Sequence, residues 1–337
     1  MPNQSKLFLI FGLFIVFLNS SCTDSGRQVT VNEASSEWKY FGLQPPGNTP
    51  QIFSPDIIST YHNERDFTIS PSGSEMFYSM VLPNNTLSVI LYLHFDGFFW
   101  SEPQVAPFSG QYSDLEPSFT PDGKKIFFIS KRPLNKEDTT EDWNIWYIEL
   151  TDKGWSQAFA LGPEINTEKD EYYPSLTEDR TLYFTAMRED TRGSEDIYFS
   201  KPIDKGYSTP VNLGDSINTE GYEYNAYITP DDSILIFGAY GRDDGLGGGD
   251  LYISFKKPDG TWTKSKNMGK GINSDKLDYC PFITRDRQHL FFTSQRIDPE
   301  LKIVSRKHFA KVIQLADGIE NGLGNIYWVA FDPNNWK

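Results

Sequence analysis

Five acidic residues, Glu64, Asp114, Glu171, Glu223 and Asp278, hold matching places in a repeated pattern. Each stands six positions before a hydroxyl residue: Ser70, Thr120, Thr177, Thr229 and Thr284 in turn. Asp and Glu supply only 46 of 337 residues, so acids at all five places exceed what composition would produce. Arg132, Arg188, Arg242 and Arg296 recur just after the second apolar run in four copies, and Leu82 stands there in the first. A guanidinium fork meets a carboxylate through paired hydrogen bonds. One reading is a repeated brace that pins loops. The other is a polar mouth for a cation, a basic side chain or a sugar. Tyr172, Tyr224 and Tyr279 directly follow three of the acids. Tyrosine beside carboxylate can hold a polyol through its apolar face and hydroxyl, or can pack between repeats.

The elements that position these residues are short strands. The hydroxyl anchors lie 50, 57, 52 and 55 residues apart. A first strand such as EPSFT or PFIT leads into a turn such as Pro121-Asp122-Gly123. Pro presets φ there, and Asp and Gly accept the remaining turn conformations. The second strand is rich in β-branched and aromatic residues: EMFYSM, KIFFIS, TLYFTA, ILIFGA, HLFFTS. After a longer loop come third strands such as NIWYIEL and DIYFSKP, a tight turn, and a fourth strand such as GYSTPVNLG. One copy cannot bury its own apolar faces, so copies must stack.

The pattern predicts an all-β, five-bladed propeller of four-stranded blades over 38–337. The chain ends on a third-strand word, NIYWV, and Gln51–Thr60 echoes a fourth strand. The amino-terminal segment is therefore expected to complete the last blade and remove a free sheet edge. Leu301, Val304, Val312 and Leu315 have partly helical spacing, so Pro299–Leu315 predicts one short helix over an end of the propeller. First strands are innermost and antiparallel to second strands. The acids are thus expected to ring the channel mouth beside their arginines, on the face that carries the long loops.

Net charge is −15, with no basic stripe to neutralise phosphates, which excludes nucleic acid as the expected partner. Two cysteines, Cys22 and Cys280, make no disulfide framework, and four histidines show no ligand spacing. No cofactor is expected, and the sequence leaves metal binding open. Gly245–Asp250 (GLGGGD) lacks the lysine and hydroxyl of a phosphate loop and reads as a flexible loop. There is no GxSxG. Leu7–Leu18 is an apolar run too short to span a bilayer, which needs about 20 residues. With Asn19-Ser20-Ser21-Cys22 after it, it reads as an export signal over 1–21, followed by a polar tether over 22–37.

That amino-terminus resembles a bacterial lipoprotein signal, which implies lipid on Cys22, although Asn19 stands where the pattern prefers Leu. EPSFTPDGKKIFFISKR, DIYFSKP, and LGPEIN with LGDSIN and MGKGIN resemble the WD40-like PD40 repeats of TolB-type propellers. The resemblance implies an exported lipoprotein of the cell envelope, expected at the outer membrane and binding a protein or glycan without catalysis. Its membrane contact would be the lipid on Cys22, and its oligomeric state stays open. The enzymatic alternative is a glycan-acting hydrolase that uses channel-mouth carboxylates, since two suffice for such chemistry. A carboxylate braced by arginine is expected to have a depressed pKa and to be a poor general acid. Glu64, without an arginine, is then the first candidate.

Overall fold

In the computed structural model, residues 40–302 and 306–337 are described. The export signal, Cys22 and the tether lie outside the described residues. Strand β1 (Gln51–Ile52) comes first, and its partners come last. Blade one is β2 (Asn63–Ile69), β3 (Glu75–Val81), β4 (Ser88–His94) and β5 (Gln104–Val105). Blade two is β6 (Asp114–Phe119), β7 (Lys125–Ser130), β8 (Asn144–Thr151) and, beyond a short β9 (Gly154–Trp155), β10 (Phe159–Ala160). Blade three is β11 (Glu171–Leu176), β12 (Leu182–Ala186), β13 (Asp196–Ser200) and β14 (Val211–Asn212). Blade four is β15 (Tyr222–Ile228), β16 (Ile234–Tyr240), β17 (Asp250–Phe255) and β18 (Lys266–Asn267). Blade five is β19 (Asp278–Ile283), β20 (His289–Ser294) and β21 (Asn325–Ala330), completed by β1.

The core lies between blades, because each middle strand buries both of its faces. Ile234, Ile236 and Ile253 of blade four meet Leu290, Phe292 and Val329 of blade five. Phe77 and Ile90 of blade one meet Ile126, Phe128 and Trp146 of blade two. The anchor hydroxyls close the turns at the inner strand ends. Thr120 Oγ1 accepts from the Lys125 N–H at 3.0 Å, and Thr229 Oγ1 accepts from the Ile234 N–H at 3.0 Å.

Closure follows the expected logic with less strand. Gln51 pairs with Trp328 and Ile52 with Tyr327. Pro55 to Ser59 then fold into a turn, whose Ser59 hydroxyl donates to the Ile326 carbonyl and accepts from the Ile326 N–H, both at 3.1 Å. The insertion of blade five holds two helical pieces, α1 (Pro299–Lys302) and α2 (Phe309–Ala316), where the spacing predicted one. His289 is buried in β20, with the Tyr40 ring edge-on at 5.7 Å. Among the described residues no helix is long and apolar enough to cross a membrane.

Candidate functional site

All five ring acids are buried, at 0–2 % exposure. Asp114 pairs with Arg132 at 2.8 Å, Glu223 with Arg242 at 2.9 Å, Asp278 with Arg296 at 3.5 Å and Glu171 with Arg188 at 3.9 Å. Each guanidinium also donates to a carbonyl of the linker entering its blade: Phe108, Ile165, Ile217 and Ile272. Aromatic rings of strands two and three flank it. Arg242 lies 5.3 Å from the Phe237 ring and 4.4 Å from Tyr252, and Arg296 lies 5.4 Å from Phe292 and 4.7 Å from Tyr327. Such contacts with aromatic faces offset part of the cost of burying the cation.

The linker dipeptides do as much as the arginines. Asn218 accepts from the Ile197 N–H and donates to its carbonyl, both at 2.9 Å, and so clamps blade three. The next residue, Thr219, donates its hydroxyl to Glu223 at 2.6 Å and its N–H at 2.8 Å, and so clamps blade four. Asn166-Thr167, Asn273-Ser274 and Ser59-Thr60 repeat this at other junctions. Between blades one and two Ser109 serves both sides, accepting from the Ile90 N–H at 3.0 Å and donating to Asp114 at 2.8 Å. Glu64, which lacks an arginine, is held by Thr60 and by Asn325 at 3.2 Å.

The expected pKa depression is reversed at Asp114, Glu171 and Asp278. Burial pushes the Glu171 carboxyl up to about 7, because the Thr167 bonds and distant Arg188 do not offset desolvation. Burial likewise raises Glu64, Asp114 and Asp278.

Side chains alternate along a strand, so the acids point into their blades and their neighbours face the axis. The five acids do not line the axial cavity at the long-loop end; the adjacent positions Asn63, Arg65, Ser113, Leu115, Tyr172, Leu277 and Tyr279 do. The expected ring of acids at the mouth is corrected accordingly: it is a ring of buried braces behind the mouth.

The chemistry on the axis comes from residues two places beyond the acids. Asp66, Glu116, Tyr173, Asn225 and Cys280 all have positive φ, between 50° and 62°. Each sits where the pairing of the inner strand shifts, in a bulge that turns the side chain toward the axis. Arg65 bonds Asp66 at 2.7 Å, Glu116 at 2.8 Å and the Cys280 Sγ at 3.4 Å. Glu116 also accepts from the Tyr173 N–H at 2.6 Å and from Asn225 at 3.1 Å. All five blades therefore contribute to one buried polar knot. Burial pushes Glu116 up to about 8, with Asp66 adding to the rise and Arg65 opposing it. Residue type varies at this position, so no motif marked it. The signal present was Pro117, Pro174 and Pro281 inside strands, since proline in a strand marks an edge or a bulge.

The axial cavity at the long-loop end measures ≈ 530 Å³. A second of ≈ 550 Å³ shares Glu141 and Tyr172 with it and adds Asp142, Glu168, Asp170 and Glu195. Deeper along the axis, beside Phe67, Pro174 and Phe282, only ≈ 10 Å³ remains, about the least that holds one water. Of the three tyrosines, Tyr172 lines both cavities and donates to Asp170 at 2.8 Å. Tyr279 lies under the Arg65 guanidinium at 5.0 Å. Tyr224 packs between glycines: a Cβ on Gly249 would sit 2.1 Å from its hydroxyl, and one on Gly238 would sit 2.5 Å from its ring. The GLGGGD segment is thus a close-packed inter-blade contact, with the Asp278 N–H donating to the Gly249 carbonyl at 2.9 Å, and not a loose loop. Asp196, Asp250 and Asn325 open third strands by accepting from the N–H groups of Arg192, Leu246 and Glu320. Among the described residues no group of three or more His, Cys, Asp or Glu is placed to hold a metal ion.

No protein-family model matches the sequence, and no curated protein matches it. Solved structures do resemble the fold. A glycoside hydrolase aligns with TM-score 0.53 at 8% identity, over 87% of this chain and 94% of that one. TolB from Acinetobacter baumannii aligns with TM-score 0.45 at 11% identity, over 80% of this chain. The alignment spans 57% of that TolB chain. The catalytic domain of the Coprinopsis cinerea GH62 alpha-L-arabinofuranosidase aligns with TM-score 0.49 at 11% identity, over 85% of this chain and 98% of that one. The likeness is one of fold.

Proposed function

We propose that this propeller is a non-enzymatic binding module of the bacterial cell envelope, exported as an outer-membrane lipoprotein through Cys22. Its long-loop face docks a protein or a glycan. The observation that supports this reading is the pair of cavities at the long-loop end, both lined by Glu141 and Tyr172. Together they offer an aromatic surface with more acids than bases: Trp143 and Tyr172 beside Glu141, Asp142, Glu168, Asp170 and Glu195, with Lys131 and Lys169 also in the lining and Arg65 held by Asp66 and Glu116. That chemistry suits a basic peptide segment or a hydroxyl-rich sugar. The envelope setting rests on the resemblance of the repeats and leader to TolB-type propellers and lipoprotein signals, which is an analogy of family and not of site.

The commitment of the carboxylates favours binding over turnover. Ring acids are enclosed in braces, and the Glu116 oxygens are filled by Arg65, Asn225 and the Tyr173 N–H. A glycan-acting enzyme remains the second reading, favoured by the neighbouring axial carboxylates Asp66 and Glu116, the latter raised to about 8. Capture from native envelopes, followed by a glycan array, separates the readings. Wild type should retain a partner that Tyr172→Ala with Glu141→Lys releases. Glycan turnover abolished by Glu116→Gln, with binding retained, would overturn the non-enzymatic reading.

A further inference from the structure

Helix α2 carries an apolar stripe on its outward side. Phe309, Val312, Ile313 and Ala316 recur at the spacing that builds one face of a helix, the face a surface helix ordinarily buries. Here all four are exposed, Phe309 at 78 %, Val312 at 47 % and Ile313 at 42 %. Only Leu315 of this helix is buried.

Charge on the amino-terminal side of the stripe runs against that of the whole molecule, while Asp317 caps the other end of the helix. From Lys302 to Lys311 the sequence has Lys302, Arg306, Lys307 and Lys311 and no carboxylate, in a chain of net charge −15. Lys311 also reaches Glu300 of α1. A short amphipathic helix with cations before it and in its first turn, and an aromatic residue on its apolar side, has the composition of the interfacial helices of peripheral membrane proteins.

We propose that α2 lies in the surface of an anionic phospholipid bilayer. Phe309, Val312 and Ile313 enter the boundary between headgroups and acyl chains, and the basic stretch Arg306–Lys311 faces the lipid phosphates, with Lys311 exchanging its Glu300 partner for one of them. The acidic body alone would be repelled by such a surface. The basic stretch reverses that repulsion where apolar side chains are displayed, which a purely hydrophobic protein groove would not require. A second copy fits less well, because a twofold contact through this stripe sets one basic stretch against the other. The insertion leaves the long-loop end of β20, so docking brings that end of the propeller toward the bilayer. The inference stands independently of what the axial cavities bind.

The test is co-sedimentation of the full chain with vesicles of phosphatidylglycerol and phosphatidylethanolamine, against vesicles in which phosphatidylcholine replaces phosphatidylglycerol. Phe309→Ser/Val312→Ser/Ile313→Ser should lower partitioning about tenfold. Arg306→Gln/Lys307→Gln/Lys311→Gln should abolish the preference for phosphatidylglycerol. Because the apolar amino-terminal run is common to all variants, a local probe is added. In a Cys22→Ser background, Ile313→Cys carries a polarity-sensitive fluorophore, and Cys280, at 1 % exposure, does not compete for it. A blue shift on adding phosphatidylglycerol vesicles supports the proposal. An unshifted probe overturns it, as does sedimentation showing a wild-type dimer that the triple serine variant dissociates.

Discussion

Arg65 and Glu116 come from the innermost strands of neighbouring blades and meet at 2.8 Å on the propeller axis. The same guanidinium bonds Asp66 at 2.7 Å, so one cation, itself 19 % exposed, serves two acidic side chains of 1–3 % exposure, of which burial holds Glu116 toward its protonated form. Arg65→Met should therefore destabilise the protein by about 3–5 kcal/mol, since it leaves buried charge uncompensated. Neutralising the acids as well, with Asp66→Asn and Glu116→Gln, should recover much of that loss. Urea unfolding of the single and triple variants measures both.

Asn218 is bonded to both backbone groups of Ile197 inside the fold. Asn218→Ala leaves a buried N–H and carbonyl without their partner and should cost about 1–3 kcal/mol for each group orphaned. Thr219→Val removes the hydroxyl held by Glu223 in the next blade. Because the two residues clamp different blades from adjacent positions, their double variant should lose more than the sum. A double-mutant cycle in thermal unfolding would show additivity if the clamp is not shared.

Glu171 titrates near 7 in the fold against an ordinary value of 4.5. Between those values the folded chain binds more protons than the unfolded one, so stability falls as pH rises through this window. The stabilisation is complete below about pH 4.5 and is lost above about pH 7, on the order of 3 kcal/mol. Glu171→Gln should flatten that part of the profile. An unchanged slope in denaturation from pH 4 to 8 would refute the assignment.

Cys280 is 1 % exposed, and burial raises its thiol well above the usual range. It should resist iodoacetamide in the native protein and react only with unfolding, because the thiolate is the reactive form. Peptide mapping after alkylation, with and without urea, measures this.

Gly249 has φ +148° and faces the Tyr224 hydroxyl. Gly249→Ala should destabilise by more than about 1 kcal/mol, from backbone conformation and contact together. Removing the hydroxyl with Tyr224→Phe should restore only the tyrosine share of the contact, since a Cβ would still lie 2.7 Å from Leu277 Cδ1, and melting temperatures of the three variants measure that share.

The blades were legible because strand composition, turn residues and the anchor hydroxyl all repeat, and closure was legible because the two chain ends carry complementary halves of one blade. The Arg132, Arg188, Arg242 and Arg296 pairings followed from antiparallel register. The axis was not legible. Its five residues share a backbone conformation, not a side-chain type, so Asp66, Glu116, Tyr173, Asn225 and Cys280 show no common letter. The sign of the carboxyl shifts was also hidden, because it depends on how completely each blade excludes water. The outward turn of α2 depends on what its neighbours leave uncovered, which helical spacing does not encode.

Ser59 bonds Ile326 across 267 positions, and β1 pairs only with β21. The strand that completes the ring is thus among the first parts of the propeller to leave the ribosome, and its partner is among the last. Until residue 330 is made, blade five lacks its third strand and the ring stays open. Loop-closure entropy over that span makes sealing a late step of folding. A nascent chain stalled before residue 325 should therefore display β1 without its β21 partner.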